Sequence, residues 1–380
     1  MTDLVIFFVA LLFALFTTGL FFYGLWKLIY GFFSQPRVQE FIQEALGLVR
    51  EKMNPILKQG PYQWEQESVL NPAVIEAGGK THMFYRAVGA DGVSRLGYAS
   101  SDDGVTFSDR LPYPVYAADG LRDGRRYRYD PIAFPSGGSW GGTEDPRAVV
   151  IGDMVYLTFN MFDGWDNMRV AMITLKVEDL MAKRWNWSNP SFLSPAGERH
   201  KNWVLFPEKV NGQFALMHNL HTEDIDRVRI EYMDDPMRIG AGADPIQSAD
   251  PNALPDRPHA WHKRMRSVGP PPLKTAFGWL FLYHANDDER HKYKMGAALL
   301  DLLDPTKIIA RSPLPVLVPD ASYENEGKPG IVYGCGATIK DDTLRVYYGG
   351  GDSVVCSASA HLPTFLDTLI SSGTPQLARA

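Results

Sequence analysis

Glu144-Asp145-Pro146-Arg147 stands directly before the apolar run Ala148-Val149-Val150-Ile151. Proline cannot donate to a central ladder and suits the start of a strand, so this polar cluster belongs at one end of a strand, where a site can be built. A carboxyl among charged neighbours can be tuned towards proton donation, and Asp145 beside Arg147 is an acid next to an anion binder. The same residues also fit a strand-capping ion pair, since structural networks perturb acids too. Other groups able to do chemistry recur at strand ends: Arg86 after Phe84-Tyr85, Glu208 after Phe206-Pro207, His218 after Met217, His284 after Tyr283, and Asp352 after a glycine run. The two histidines hold equivalent places but match no metal motif, and no metal is expected.

The elements that carry these residues repeat. An apolar strand ending in an aromatic or polar residue recurs as Met83-Phe84-Tyr85-Arg86, Tyr156-Leu157-Thr158-Phe159-Asn160, Ala215-Leu216-Met217-His218, Phe281-Leu282-Tyr283-His284 and Val346-Tyr347-Tyr348-Gly349. Each copy follows an element marked by proline or glycine: Asn71-Pro72, Asp145-Pro146, Pro207-Glu208, Pro270-Pro271-Pro272 and Gly334-Cys335-Gly336. A third strand follows, as in Arg95-Leu96-Gly97-Tyr98-Ala99 and Arg169-Val170-Ala171-Met172-Ile173. The spacing of about 60 to 75 residues is too long for a solenoid repeat and suits a propeller blade with insertions. The fold class predicted is all-β, a five-bladed β-propeller over residues 61–362, in which the first strand of every blade lines a central channel. A β-sandwich is the alternative, but it does not predict five similar units.

The 380-residue chain is long enough for a large core. A net charge of −6 gives no footprint for nucleic acid. Two cysteines, Cys335 and Cys356, exclude a disulfide framework and read as buried thiols. Residues 4–26 carry no charge and, as a helix, would span about 34 Å, enough to cross a bilayer. No basic n-region precedes them, so they read as a permanent anchor within residues 1–33 rather than a signal peptide. Lys27, Arg37, Arg50, Lys52 and Lys58 follow, which by the positive-inside rule leaves the large domain in the cytoplasm. Residues 34–60 read as an amphipathic helix starting at Ser34-Gln35-Pro36, and residues 363–380 as a closing tail. The Pro-, Asp- and Ala-rich insertion 241–262 reads as a long loop near the pocket mouth.

The motifs resemble those of glycoside hydrolase family 130. They are Asn71-Pro72-Ala73, Phe84-Tyr85-Arg86, Glu144-Asp145-Pro146-Arg147 and Leu205-Phe206-Pro207-Glu208-Lys209. Gly278-Trp279-Leu280 with Tyr283-His284, Gly296-Ala297-Ala298-Leu299-Leu300-Asp301 and Tyr347-Tyr348-Gly349-Gly350-Gly351-Asp352 continue the series. They match in order from about residue 71 to residue 360. The resemblance implies a five-bladed propeller acting on β-mannosides, most members being inverting phosphorylases and some hydrolases. It places the general acid at Asp145, delivering its proton through a sugar hydroxyl, unlike the usual two-carboxylate scheme. Sugar would be held by Asn71, Arg86, Glu144, Glu208, Tyr283 and Asp352, and phosphate by Arg147, Lys201, Asn202 and His284. Asp352 also fits a plain turn residue, while Trp203, Trp279 and Tyr283 can stack on sugar rings or simply pack.

No cofactor is implied. Inorganic phosphate is the co-substrate, and the partners are a di- or oligosaccharide and, through the N-terminal helix, a membrane. A homo-oligomer is left open. One departure touches the phosphate site. Asn219 stands where a phosphate-holding arginine is expected, and Met265 is in register with an expected lysine, flanked by Arg264 and Arg266. Asparagine does not replace bidentate phosphate recognition. With Arg264 or Arg266 able to replace the missing cation, a phosphorylase stays the first expectation, and a β-mannosidase using Glu208 or Glu198 to activate water, or a non-catalytic sugar-binding propeller, are the alternatives.

Overall fold

The computed structural model describes residues 17–27, 44–118, 127–164, 167–219, 228–238, 261, 264–286 and 292–372. Contacts divide the chain into two units, residues 1–45 and 46–380. In the first, residues 17–27 are helical, and Leu20, Phe21, Phe22, Tyr23 and Trp26 are exposed. The expected span 4–26 lies largely outside the described residues. Among the described residues no helix is long and apolar enough to cross a membrane.

The second unit is mostly β. Its long described strands form five consecutive antiparallel meanders. The first comprises Ser68–Ala77, Lys80–Val88 and Val93–Ser101, and the second Gly141–Ile151, Met154–Asp163 and Met168–Lys176. The third comprises Val204–Leu205, Phe214–Asn219 and Val228–Met233, and the fourth Arg264–Val268, Trp279–Asn286 and Tyr293–Leu300. Val332–Lys340, Thr343–Gly350 and Val354–His361 form the fifth. The first two share a sheet only through a short parallel contact of Val93 and Ser94 with Gly141 and Gly142. The arrangement is propeller-like, because the first strands meet one another. Ser68–Ala77 lies against both Gly141–Ile151 and Val332–Lys340, and Gly141–Ile151 also lies against Val204–Leu205.

The five repeated runs of the sequence are the second strands of these meanders. They read as continuous apolar runs because each sheet is covered on both faces. Phe84, Leu96 and Tyr98 of the first meander pack on Val155, Leu157, Phe159 and Ile173 of the second. Leu205, Phe214 and Leu216 of the third pack on Val149, Val170 and Met172.

Both ends of this unit differ from expectation. The described helix stops at Leu46, and Val49–Arg50 is a strand paired with Ser359 and Ala358. Leu57 bridges Val355, and Leu46, Leu48 and Leu57 are buried. Residues 46–60 therefore belong to the β unit rather than to an amphipathic helix. They cover the open edge of the last sheet, whose unpaired backbone groups need a partner. At the other end, where a closing tail is expected from residue 363, Leu362–Ser372 is a helix that buries Phe365, Leu366 and Leu369. Apart from Trp261, the insertion 241–262 lies outside the described residues.

Candidate active site

Asn71-Pro72 and Asp145-Pro146 hold equivalent places in the first strands of two meanders. Proline has no N–H to give, and each ladder breaks there: the register shifts between Leu70 and Ala73, and between Glu144 and Arg147. Asn71 and Asp145 take up the extra residue with left-handed backbones, φ 47° and 48°, a region that short polar side chains tolerate. Such a bulge re-aims the side chain. Asn71 Nδ2 consequently donates to Asp145 Oδ1 at 2.7 Å. Asn202 (φ 62°) and Asp352 (φ 51°) are left-handed as well, so four of the eight non-glycine residues with positive φ among the described residues are predicted site residues. Backbone strain collects where function over-determines geometry.

Arg86 ties this pair to the second carboxylate. Its Nη1 donates to Asp145 Oδ1 at 3.0 Å and its Nη2 to Glu144 Oε1 at 2.9 Å. Nη2 also donates to Ser136 O at 2.6 Å, and Nε to Ser94 Oγ at 2.9 Å. The Ser136 hydroxyl donates to Glu144 Oε2 at 2.7 Å, and Lys201 Nζ lies 3.6 Å from the same oxygen. Glu144 is sealed, and burial pushes its carboxyl up against the opposing pull of Arg86 and Lys201. Burial acts the same way on Asp145, but Arg86, Lys201 and Arg147 together outweigh it and bring that carboxyl down to about 2. Asp145 is therefore a carboxylate at neutral pH.

A second network lies behind the first. Arg147 Nη1 donates to Asp145 O at 2.8 Å and to Asn202 Oδ1 at 2.9 Å, and Nε reaches Gly269 O at 3.2 Å. Asn202 Nδ2 donates to the Tyr333 hydroxyl at 2.7 Å, and Ser267 Oγ is 3.0 Å from that same oxygen. His284 lies under Tyr333, the rings stacked 4.2 Å apart. Burial, then Arg147, lowers His284 to about 3, so the ring is neutral. The Gly334 N–H donates to Nε2 at 2.8 Å, which places the proton on Nδ1 facing Ser267 Oγ at 2.9 Å. The Tyr333 oxygen accepts from Asn202, and its bond with Ser267 can run in either direction.

The structure thus brings together Asn71, Arg86, Glu144, Asp145, Arg147, Lys201 and Asn202. His284 joins only from behind: it is fully buried with both nitrogens engaged, so it supports Tyr333 rather than meeting a ligand. Glu208 is elsewhere. It is exposed and ion-paired with Lys274, and the neighbouring Pro207 lines an opening with Val149 and Leu273 that contains none of the clustered residues. The place equivalent to Asp145 in the third meander belongs to Asn202. Tyr283 is a core residue, with Phe281 and Trp261 stacked on its ring and Arg311 over it, rather than a sugar platform. His218 is buried beside Trp203 and bonded to Glu231. Asp352 is near the cluster, with Lys328 Nζ 3.5 Å away. The side chains of Asn219, Arg264 and Arg266 lie outside what the structure describes. No group of three or more metal-binding side chains occurs among the described residues.

Sequence reasoning missed Ser136, Asn160, Tyr333 and Lys328. Asn160 alone carried a local signal, as the polar end of a repeated strand. It holds Asn202 at both ends, accepting from its N–H at 2.8 Å and donating to its Oδ1 at 3.0 Å.

A family model described as beta-1,4-mannooligosaccharide phosphorylase, that of glycoside hydrolase family 130, matches residues 50–370. The chain belongs to this family. A 1,2-beta-oligomannan phosphorylase of Thermoanaerobacter sp. (strain X514) is 35% identical over 303 residues, covering 77% of this chain and 90% of that protein. A beta-1,2-mannobiose phosphorylase of the same organism is 32% identical over 323 residues, covering 80% and 94%. In fold, the chain is similar to a Listeria innocua beta-1,2-mannobiose phosphorylase solved with β-1,2-mannobiose. The TM-score is 0.64 at 23% identity, covering 85% of this chain and 99% of that one.

Proposed function

We infer that this family member is an inverting β-mannoside phosphorylase acting on β-1,2-linked mannosides. Phosphate oxygen bonds to the anomeric carbon from the α face while the glycosidic oxygen leaves with a proton originating at Asp145. The products are α-mannose 1-phosphate and the shortened sugar, and the reaction runs both ways. The observation that carries this reading is Asp145, fixed by Asn71 and Arg86 beside the cations Lys201 and Arg147. The β-1,2 linkage rests on the names of the relatives.

The low value of Asp145 fits an acid that takes up its proton when its co-substrate binds. Lys201 and Arg147, with the Tyr333 hydroxyl, form the phosphate side of the site in this reading. A bound dianion cancels part of the field that holds Asp145 ionised, and a nearby negative charge raises a carboxyl. Proton uptake thus accompanies phosphate binding, and the acid becomes competent only when the nucleophile is present. Arg86 and Glu144 hold Asp145 in place, while Asn71 and Asp352 meet the sugar.

The hydrolase alternative needs a carboxylate to activate water. Glu208 is paired with Lys274 away from the cluster, and Glu198 is bonded to His200 at 2.7 Å. Glu208 thus stands apart from Asp145 and Glu198 is engaged by His200, which favours phosphate as the nucleophile. Incubation of the protein with α-mannose 1-phosphate and mannose should release phosphate and form a β-mannoside. Mannose release from β-1,2-mannobiose at a rate indifferent to phosphate would overturn the phosphorylase reading.

Two coarser elements are proposed with it. The β unit is a five-bladed propeller, and the uncharged run 4–26 with the basic residues after it anchors the protein, its catalytic unit facing the cytoplasm. Protease added to spheroplasts should spare the catalytic unit; digestion from outside would reverse that topology.

A further inference from the structure

Lys328 follows the short turn Ser322–Glu324 and is bound to the last meander by its backbone. Its N–H donates to Gly351 O at 2.9 Å, and the Gly351 N–H donates to Ile331 O at 3.1 Å. This close pairing needs a glycine at position 351, where φ is 57° and a Cβ would fall 2.1 Å from Glu326 O. The Lys328 side chain therefore starts next to Asp352. Its Nζ is 3.5 Å from Asp352 Oδ2 and donates to Pro135 O at 2.9 Å. Pro135 precedes Ser136, whose hydroxyl holds Glu144 and whose carbonyl accepts from Arg86. One ammonium thus joins a carboxylate of the last meander to the segment between the first two.

We propose that Lys328 is a positioning residue for sugar binding: pinned by the Pro135 carbonyl, its ammonium holds the Asp352 carboxylate in place as a two-oxygen acceptor for sugar hydroxyls. This rests on the reading of Asp352 as a sugar-binding residue given above. A carboxylate accepts through both oxygens, whereas a protonated carboxyl gives one oxygen to its proton. Which form is present depends on a balance. Burial pushes Asp352 up and the charge of Asp145 adds to that, while Lys328 and then Arg86 pull it down. Among the described residues, Tyr129 and Cys335 are further titratable groups that interact with it. Burial prevails, so Asp352 stands above its ordinary value even with Lys328 present. Arg86 is already shared between Glu144 and Asp145, which leaves Lys328 as the counter-charge Asp352 does not share with them.

The test compares Lys328→Met and Lys328→Arg with the unaltered protein in phosphorolysis of β-1,2-mannobiose. In Lys328→Met the KM for the mannoside should rise about tenfold, the loss of one charge-assisted contact, while the KM for phosphate stays put. The acid limb of kcat/KM should move to higher pH, and Lys328→Arg should restore most of both. An unchanged mannoside KM, or both KM values rising together with the acid limb unmoved, overturns the proposal. A second readout needs no turnover. In protein labelled with carboxyl-¹³C aspartate, the resonance missing from Asp352→Asn should titrate at higher pH in Lys328→Met. An unmoved midpoint overturns the proposal even if the protein cleaves no mannoside, an outcome that would itself sink the functional reading.

Discussion

Replacing Asp145 by asparagine removes a charge and a proton while leaving the shape nearly the same. The amide oxygen can still accept from Asn71 Nδ2 and Arg86 Nη1, the two donors now on Oδ1. The ionised carboxyl's share of the stability follows from its depression from 3.8 to about 2, which at about 1.4 kcal/mol per pH unit amounts to about 2–3 kcal/mol. The sign follows from a folded value below the unfolded one. The contribution is complete above the unfolded value and is lost as pH falls through about 2, so at neutral pH Asp145→Asn forfeits all of it. Relief of Glu144, which Asp145 pushes upward, returns part. Loss of a general acid costs about 10²–10⁴ in rate, or about 3–5 kcal/mol of barrier. The activity effect therefore exceeds the stability effect, and a folded but nearly inactive protein is expected.

The assay is phosphorolysis of β-1,2-mannobiose beside thermal unfolding. A second substrate sharpens it: a β-mannoside with a dinitrophenyl leaving group needs no protonation and should be cleaved by Asp145→Asn within about tenfold of the unaltered enzyme. Near-normal turnover of mannobiose would refute Asp145 as the acid. Equal loss on both substrates would show that the carboxylate matters for holding the site rather than for giving a proton.

Three further outcomes follow from the same geometry. Lys201→Met should raise the KM for phosphate by about tenfold or more and leave the KM for the mannoside nearly unchanged, since one cation facing the dianion is lost; equal changes in both would remove Lys201 from the phosphate site. Gly349→Ala puts a Cβ 2.1 Å from Asn71 Oδ1 and 3.0 Å from Asn71 N, so Asn71 must leave Asp145; kcat should fall about tenfold for an overpacking cost of about 1–3 kcal/mol, and full activity would disprove the coupling. His284 is neutral with a folded value of about 3 against an ordinary 6.5. Stability should be complete above pH 6.5 and decline by about 1.4 kcal/mol per pH unit as pH falls towards 3, and an unchanged slope in His284→Gln would refute the assignment.

The sequence by itself determined the five middle strands, because runs such as Tyr156-Leu157-Thr158-Phe159 are buried on both faces and carry their signal locally. It also marked Asn71-Pro72 and Asp145-Pro146, where the missing proline N–H forces a break in the ladder whatever surrounds it. Other assignments needed the fold. Pro207-Glu208 has the same local look as Asp145-Pro146, yet the equivalent place is Asn202, which declares itself only through a left-handed backbone and its bonds to Arg147 and Asn160. Val49–Arg50 follows a stretch of helical periodicity but is a strand, because an open sheet edge at the far end of the chain takes it up. His284 reads as a phosphate-holding residue at a strand end, and the ring of Tyr333, from the strand Val332–Lys340, covers it. Burial and charge are summed over neighbours distant in the chain. The state of Asp145 was therefore fixed only when Arg86, Lys201 and Arg147, drawn from three strands and loops, met around it.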